Sequence, residues 1–444
     1  MSGLRPAAVG LDVFDTVLTR AVPDSASLLE LVGQRLVAED AWGGDAGSYV
    51  RARYEAARAD PAASLSQWYR HPAMAEATDA ARCCQIEFDL ERRVCRAAPG
   101  ALDAVRALRR AGLRVDFISD MHLPAGVIRG LLEREGLLEG DDLVLVSCEV
   151  GARKRDGRLF RVWAERRGTR LDRLCYVGNH PLADHVVPRS LGLWTVPRRA
   201  GNLTPGERIV ADAGVLGGLV AAASVQGRLS RLARRQDGPA IELGASVVGQ
   251  AMVAFLLWTR QRCVDDGVEA LALAGAGAGL AHRVAAALPA GYWNGIEVVP
   301  LAHRCPCEVD VRSRARLAVA SVGPGGATLA AGLDGRRACR CSGTTPSVLP
   351  LSFAAEDHPE PDAPASWSFL AGSSPVPVRV LAGTDAQVWA AAAAVAAALP
   401  DLDLVGPHLA SVDTLGPVVG DLLRWSGKLG GFPQSAQVRT PTSR

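Results

Sequence analysis

Residues 7–16 read AAVGLDVFDT. The stretch stays apolar at successive positions until Asp12 interrupts it, which is the pattern of a short strand buried on both faces of a parallel sheet. Such a strand delivers the acid to its carboxyl end. Further along, residues 101–111, 125–135 and 157–167 have helical spacing, and residues 114–118, 143–147, 173–177 and 193–196 are strand-like. Strands alternating with helices imply βαβ units and a parallel sheet flanked by helices. Between the first strand and this series, residues 25–96 are largely helical in spacing, until Pro99-Gly100 breaks the pattern. The expected fold class is therefore α/β, a parallel sheet flanked by helices with a helical insert after the first strand.

The 444 residues suffice for more than one domain, and 48% are hydrophobic. Lys+Arg is 49 and Asp+Glu 47, a net charge of +2, which argues against broad electrostatic binding to nucleic acid or an anionic membrane. The 10 cysteines are too sparse for a disulfide framework in so long a chain, and an aspartate precedes any apolar run long enough for a signal peptide. Residues 243–259 are apolar but contain Ser246 and Gln250 and fall short of the roughly 20 apolar residues of a span, so a buried helix is expected there. These features point to a cytoplasmic protein without membrane insertion. Only Lys154 and Lys428 are lysines among the 49 basic residues. A lysine that survives so strong an arginine bias invites a chemical explanation.

Parallel strands share one carboxyl edge, where such sheets bind ligands. Asp12, Ser119, Lys154 and the Asn179/Asp184 pair each follow a strand-like run, so the topology brings them to that edge. A nucleophilic carboxylate, a hydroxyl, an ammonium and a second carboxylate suit phosphoryl transfer. Asp12 attacks phosphorus, Ser119 and loop amides hold the oxygens, and Lys154 neutralises developing charge. Asp12 and Asp184 offer hard oxygens to Mg²⁺.

Four segments carry a family resemblance: VGLDVFDT (9–16), ISDMHLP (118–124), SCEVGARKRDGRLF (147–160) and YVGNHPLAD (176–184). In this order they resemble the four motifs of the haloacid dehalogenase (HAD) superfamily, and most of all its bacterial members with a DxFDT first motif and a long C-terminal extension. The resemblance covers about residues 5–200. It implies a Rossmann-like core, a helical cap inserted after the first motif, Mg²⁺ dependence and an aspartyl-enzyme intermediate. By position, Asp12 is the nucleophile, Thr16 braces the first loop, Ser119 contacts the phosphoryl group and Lys154 stabilises charge. Asp12, the Phe14 carbonyl, Asn179 and Asp184 form the metal side.

Two positions depart from that pattern. Superfamily phosphatases carry an acid/base aspartate two residues after the nucleophile, where this chain has Phe14, which transfers no proton. In a strand-like segment the neighbouring Asp15 would point to the opposite side. Asn179 stands where a metal-side aspartate is expected, which weakens the metal site. His122 and His180 lie near the edge as possible proton relays, and Asp120 is placed to cap the following helix. Three readings follow. The first is a Mg²⁺-dependent phosphatase or phosphotransferase acting on a small phosphorylated metabolite. The others are a catalytically impaired relative serving as an assembly partner in glycan or secondary metabolism, and a metal-independent dehalogenase, since an aromatic at the Phe14 position also occurs in superfamily dehalogenases.

The expected organisation is a core of residues 1–19 and 97–200, a cap of 20–96, a helical connector of 201–240 and a second α/β domain of 241–444, the candidate surface for a protein partner. Cap arginines Arg51, Arg53 and Arg58 are candidates to grip a substrate anion. In the second half, strands are expected at 270–274, 296–301, 378–382 and 402–405, helices at 279–288 and 388–399, and loops at 323–326 and 342–377. The GAGAG of residues 275–279 lacks the full GxGxxG spacing of a dinucleotide loop. The family's FLARDGY-like and YVSRR-like segments correspond here to residues 274–280 and LAHR (301–304), without the charged pair. The CxC pairs Cys305/Cys307 and Cys339/Cys341, with His303 nearby, lack the CxxC spacing zinc prefers and read as loop thiols.

Overall fold

The computed structural model describes residues 5–198, 201–233, 238–274, 278–293, 295–301, 316–321, 347–352, 367–368, 386–400 and 402–428. Strand β1 (Ala8–Leu11) is followed by β2 (Leu18–Arg20), β3 (Cys95–Ala97), β4 (Arg114–Ser119), β5 (Val144–Val146), β6 (Leu174–Gly178) and β7 (Trp194–Pro197). Five of these form one parallel sheet in the order β5-β4-β1-β6-β7. β1 sits in its centre and is buried throughout, as its unbroken apolar run requires. The helices Ala101–Arg110, Ala125–Arg134 and Arg158–Arg166 make the crossovers. Asp116, inside β4 and fully buried, is matched by Trp163, whose Nε1 donates to it at 2.6 Å, and by the Arg167 guanidinium.

Between β2 and β3 lie the helices Ser25–Ala38, Ala46–Ala59, Leu65–Trp68 and Ala80–Val94. Asp24, Asp45 and Asp79 cap three of them by accepting first-turn amides. The insert does not run helical to residue 96. Cys95–Ala97 pairs antiparallel with Leu18–Arg20, so the helical insert leaves and rejoins the core through a two-stranded neck.

The second half holds another five-stranded parallel sheet: β8 (Ala270–Ala274), β9 (Glu297–Leu301), β10 (Arg316–Ser321), β11 (Ser347–Ser352) and β12 (Trp367–Ser368), in the order β12-β11-β10-β8-β9. β11 and β12 fall inside the stretch expected as loop, and β10 answers no expected element. Residues 402–405, expected as a strand, form the helix Leu402–Val405. Four residues are too few for periodicity to separate the two. Ala386–Ala398 is a helix with one face buried, as its alanine content implies. The strand expected at 378–382, the loop expected at 323–326, residues 275–277 of GAGAG, residues 302–304 of LAHR and the CxC cysteines with His303 lie outside the described residues.

Residues 243–259 belong to a longer helix, Ala240–Asp265, of 26 residues. By length and composition alone it is long and apolar enough to cross a membrane, but 83% of its apolar window is buried inside the protein. It packs beside the helix Gly214–Leu232, where the Ser224 hydroxyl donates to Ala245 O at 3.1 Å.

Candidate active site

β1 ends at Leu11, and the chain turns at once. Asp12 N donates to Val177 O of β6, while Val17 N and Leu18 N both donate to Val13 O. Asp15 sits in this turn with φ of 56°, in the left-handed region. The strand alternation expected for Phe14 and Asp15 therefore does not apply, because neither is in an extended run. The Phe14 ring lies under the Arg20 guanidinium, 4.0 Å from the ring centre, and Arg20 makes a bidentate pair with Glu91 at 2.9 and 3.0 Å.

The buried ammonium of Lys154 stands between two buried carboxylates. Nζ donates to Asp12 Oδ1 at 2.6 Å, to Asp184 Oδ1 at 2.8 Å and to Tyr176 Oη at 3.1 Å. Tyr176 in turn donates to Ile118 O at 3.0 Å. The Thr16 hydroxyl donates to Asp12 Oδ2 at 3.1 Å. Ser119 is the buried last residue of β4; Phe117, two positions earlier, pairs with Leu11 in register, which puts Ser119 beside the turn that carries Asp12. Asp120 does not cap the helix Ala125–Arg134, whose N-cap is Pro124. Its Oδ1 accepts Lys154 N at 2.8 Å, fixing the lysine's backbone to the β4 loop.

Asp184 is fully buried, and His180 N donates to its Oδ2 at 2.9 Å. Gly178 permits this approach: a Cβ there would meet Asp184 Oδ2 at 2.4 Å. Asn179 donates Nδ2 to Asn202 Oδ1 at 3.0 Å. His180 spends Nδ1 as the acceptor for Leu182 N and Ala183 N, a capping role. His122 faces the helical insert instead: its ring lies tilted against Trp68 at 4.8 Å, Nε2 lies 3.4 Å from Glu87, and its carbonyl accepts Leu65 N. Arg53 is also committed. It is buried, paired with Glu87 at 2.9 Å and stacked on Trp68 at 4.2 Å, whereas Arg51 and Arg58 are exposed.

The side chains of Asp12, Asp184 and Lys154 leave one negative charge uncompensated. Burial, reinforced by Asp184, pushes the Asp12 carboxyl up to about 6 against the opposing pull of Lys154 and Thr16. Burial disfavours the Lys154 charge, but Asp12, Tyr176 and Asp184 outweigh it and hold its pKa well above the usual lysine range. Among the described residues no group of three or more His, Cys, Asp or Glu is placed to hold a metal. Two carboxylates with neutral oxygens and an uncompensated charge nonetheless fit Mg²⁺, which takes one or two carboxylates and completes its shell with water and substrate oxygens.

Tyr176, Asp120, Asn202 and Gly178 were not among the candidates. Tyr176 reads as strand core, and the contact of Asn202 is made only by tertiary structure. Asp120 and Gly178 adjoin singled-out residues, and that adjacency was the available signal.

No family model matches the chain, and no curated protein matches it. The solved structures to which it is similar are HAD-fold hydrolases. A 2-haloacid dehalogenase from Pseudomonas syringae shares 17% identity over 44% of this chain and 87% of its own, with a TM-score of 0.36. A predicted phosphoglycolate phosphatase from Haemophilus somnus shares 14% over 44% and 86%, with a TM-score of 0.32. A HAD family hydrolase from Deinococcus radiodurans, bound to phosphate and sodium, shares 18% over 44% and 80%, with a TM-score of 0.29. Likeness at this level carries no argument about chemistry, which rests on the chain's own strand order and side chains.

Proposed function

We propose that the chain is a HAD-type hydrolase that takes the phosphoryl group of a small phosphorylated metabolite onto Asp12. The observation that carries this reading is the Lys154 ammonium held 2.6 Å from Asp12 and 2.8 Å from Asp184. Asp12 Oδ1 is kept ionised and oriented by that contact, and Thr16 fixes Oδ2. Attack on phosphorus forms the Asp12 O–P bond as the leaving-group P–O bond breaks, and Lys154 and the Ser119 hydroxyl balance charge on the transferred oxygens. Mg²⁺, held by Asp12, Asp184, the Asn179 amide oxygen and the Phe14 carbonyl, would supply further charge neutralisation. Water then cleaves the acyl phosphate. Phe14 offers no proton to either step, which costs about 10²–10⁴-fold in rate where no other group substitutes. The cap, clamped to the β4 loop through His122, excludes water and selects the substrate.

The test is phosphatase turnover of wild type and Asp12→Asn with Mg²⁺. Activity confined to wild type supports the reading. Two correctly folded but equally inert proteins defeat it and favour the impaired assembly partner. A second reading, the metal-independent dehalogenase, is favoured by the Phe14 ring packed beneath Arg20 at 4.0 Å, since carbon attack needs no proton donor there. Metal-independent halide release from 2-haloacids would select it.

A further inference from the structure

Arg198, Gly201 and Asn202, between the first sheet and the second half, each contact the loops of the candidate site. Arg198 N donates to Gly178 O at 2.7 Å, and its Nε donates to Thr16 O at 2.9 Å. Gly201 comes so near the first loop that a Cβ there would lie 2.7 Å from Asp15 O. Asn202 Oδ1 then accepts the Asn179 amide at 3.0 Å. Asn202 is anchored from behind. Asn202 O accepts Arg228 from the helix Gly214–Leu232 at 3.1 Å. Arg228 makes a bidentate pair with Glu207 at 2.9 and 3.1 Å. Glu207 also accepts Ser224 Oγ at 2.8 Å, Ser246 Oγ at 3.2 Å and Thr204 N at 2.8 Å. Glu207, Ser224 and Ser246 are buried and Arg228 nearly so.

A buried, hydrogen-bonded ion pair contributes little net stability relative to an apolar replacement, but it holds one geometry. Here the geometry held is that of Asn202. An amide that gives its NH₂ group to Asn202 keeps its oxygen as the end available to another partner. We infer that Asn202 is a positioning residue of the active site: it turns the Asn179 amide so that the oxygen serves the Mg²⁺ side. The Glu207–Arg228 pair makes the helices Pro205–Ala211 and Gly214–Leu232 a structural part of that site. This rests on the proposed Mg²⁺-dependent phosphoryl transfer.

Full-length wild type, Asn202→Ala, Asn202→Asp, Asn179→Ala and the Asn179→Ala/Asn202→Ala double variant are compared, with thermal melts to confirm folding. Two readouts are taken: Mn²⁺ binding without substrate, followed by electron paramagnetic resonance, and the Mg²⁺ dependence of aryl phosphate hydrolysis. Asn202→Ala should weaken Mn²⁺ binding and raise the Mg²⁺ concentration for half-maximal rate, each by about tenfold, as loss of a partner that orients a metal ligand does. The rate at saturating Mg²⁺ should change little. Asn202→Asp keeps the acceptor and should restore binding, and the double variant should bind no more weakly than Asn179→Ala. The inference is overturned if Asn202→Ala binds Mn²⁺ as wild type does, if Asn202→Asp fails like alanine, or if wild type binds no Mn²⁺. Turnover abolished by Asp12→Asn alongside either of the first two results leaves the proposed function standing and removes only the positioning role; absence of Mn²⁺ binding removes the metal dependence as well.

Discussion

Lys154 and Asp12 are 142 positions apart in sequence, and their side chains meet at 2.6 Å in a buried pair. The lysine compensates one of two carboxylates that burial would otherwise leave facing each other. Lys154→Met should therefore abolish turnover and destabilise the fold by about 3–5 kcal/mol, the cost of stranding a buried charge. Lys154→Arg restores charge but not shape, because a planar guanidinium cannot replace a compact ammonium donating to three acceptors. It should recover part of the stability in urea melts and little activity.

The elevated Asp12 pKa has a signed consequence. The folded state binds the Asp12 proton up to about pH 6, the unfolded chain only to about 3.8. Stability is thus fully present below the lower value and declines as pH rises through this window. At pH 7.5 Asp12→Asn should be more stable than wild type by ~1–3 kcal/mol, since two pKa units correspond to a few kcal/mol. A variant no more stable than wild type in melts at pH 7.5 would mean that the carboxylate is well compensated.

Phe14 is the position at which proton transfer is missing. Phe14→Asp should raise the hydrolysis of alkyl phosphates, whose leaving groups need a proton, by about 10²-fold. It should act much less on aryl phosphates, whose leaving groups depart unaided. The same change removes the ring beneath Arg20, so a drop in melting temperature should accompany the gain. Equal effects on both substrate classes would show that the new carboxylate is not acting as an acid.

The contact between the helical insert and the β4 loop centres on Glu87, buried and accepting from Arg53 and Tyr49 at 2.9 Å and from Tyr69 at 3.1 Å. Burial disfavours its charge, but Arg53 and His122 more than offset that and hold its pKa well below the carboxylate range. His122 is shifted the other way, chiefly by burial, below its ordinary 6.5. The unfolded chain then binds the His122 proton first, so the stability this contact lends is present above about pH 6.5 and lost as pH falls. Glu87→Gln should raise KM and lower the melting temperature while leaving the Asp12 pH dependence in place. Unchanged KM and melting would remove the cap clamp from the account.

The order of elements in the first 200 residues was legible because a buried parallel strand leaves an unbroken apolar run, as at Ala8–Leu11, and its edge residues follow directly. Asp12, Ser119, Lys154 and Asp184 could be named for that reason. What topology alone conveys poorly is the direction of a side chain after the strand has ended. The turn at Asp15 defeated the alternation argument, and Asp120 serves the backbone of Lys154 rather than a helix. Tyr176 was hidden because a tyrosine in a buried strand has the same pattern as any core residue. The second sheet was only half legible. β11 contains Pro350, which ordinarily argues against a strand, and β12 has only 2 residues. Asn202 depends on a buried ion pair that no local pattern announces.

The central claim is that Asp12 carries the transferred group. Full-length protein mixed with Mg²⁺ and an aryl phosphate, quenched in acid within a turnover and digested, should yield a peptide phosphorylated at Asp12. The modification should be released by hydroxylamine, as an acyl phosphate is. An unmodified Asp12 peptide, together with hydrolysis that persists in Asp12→Asn, would contradict the account.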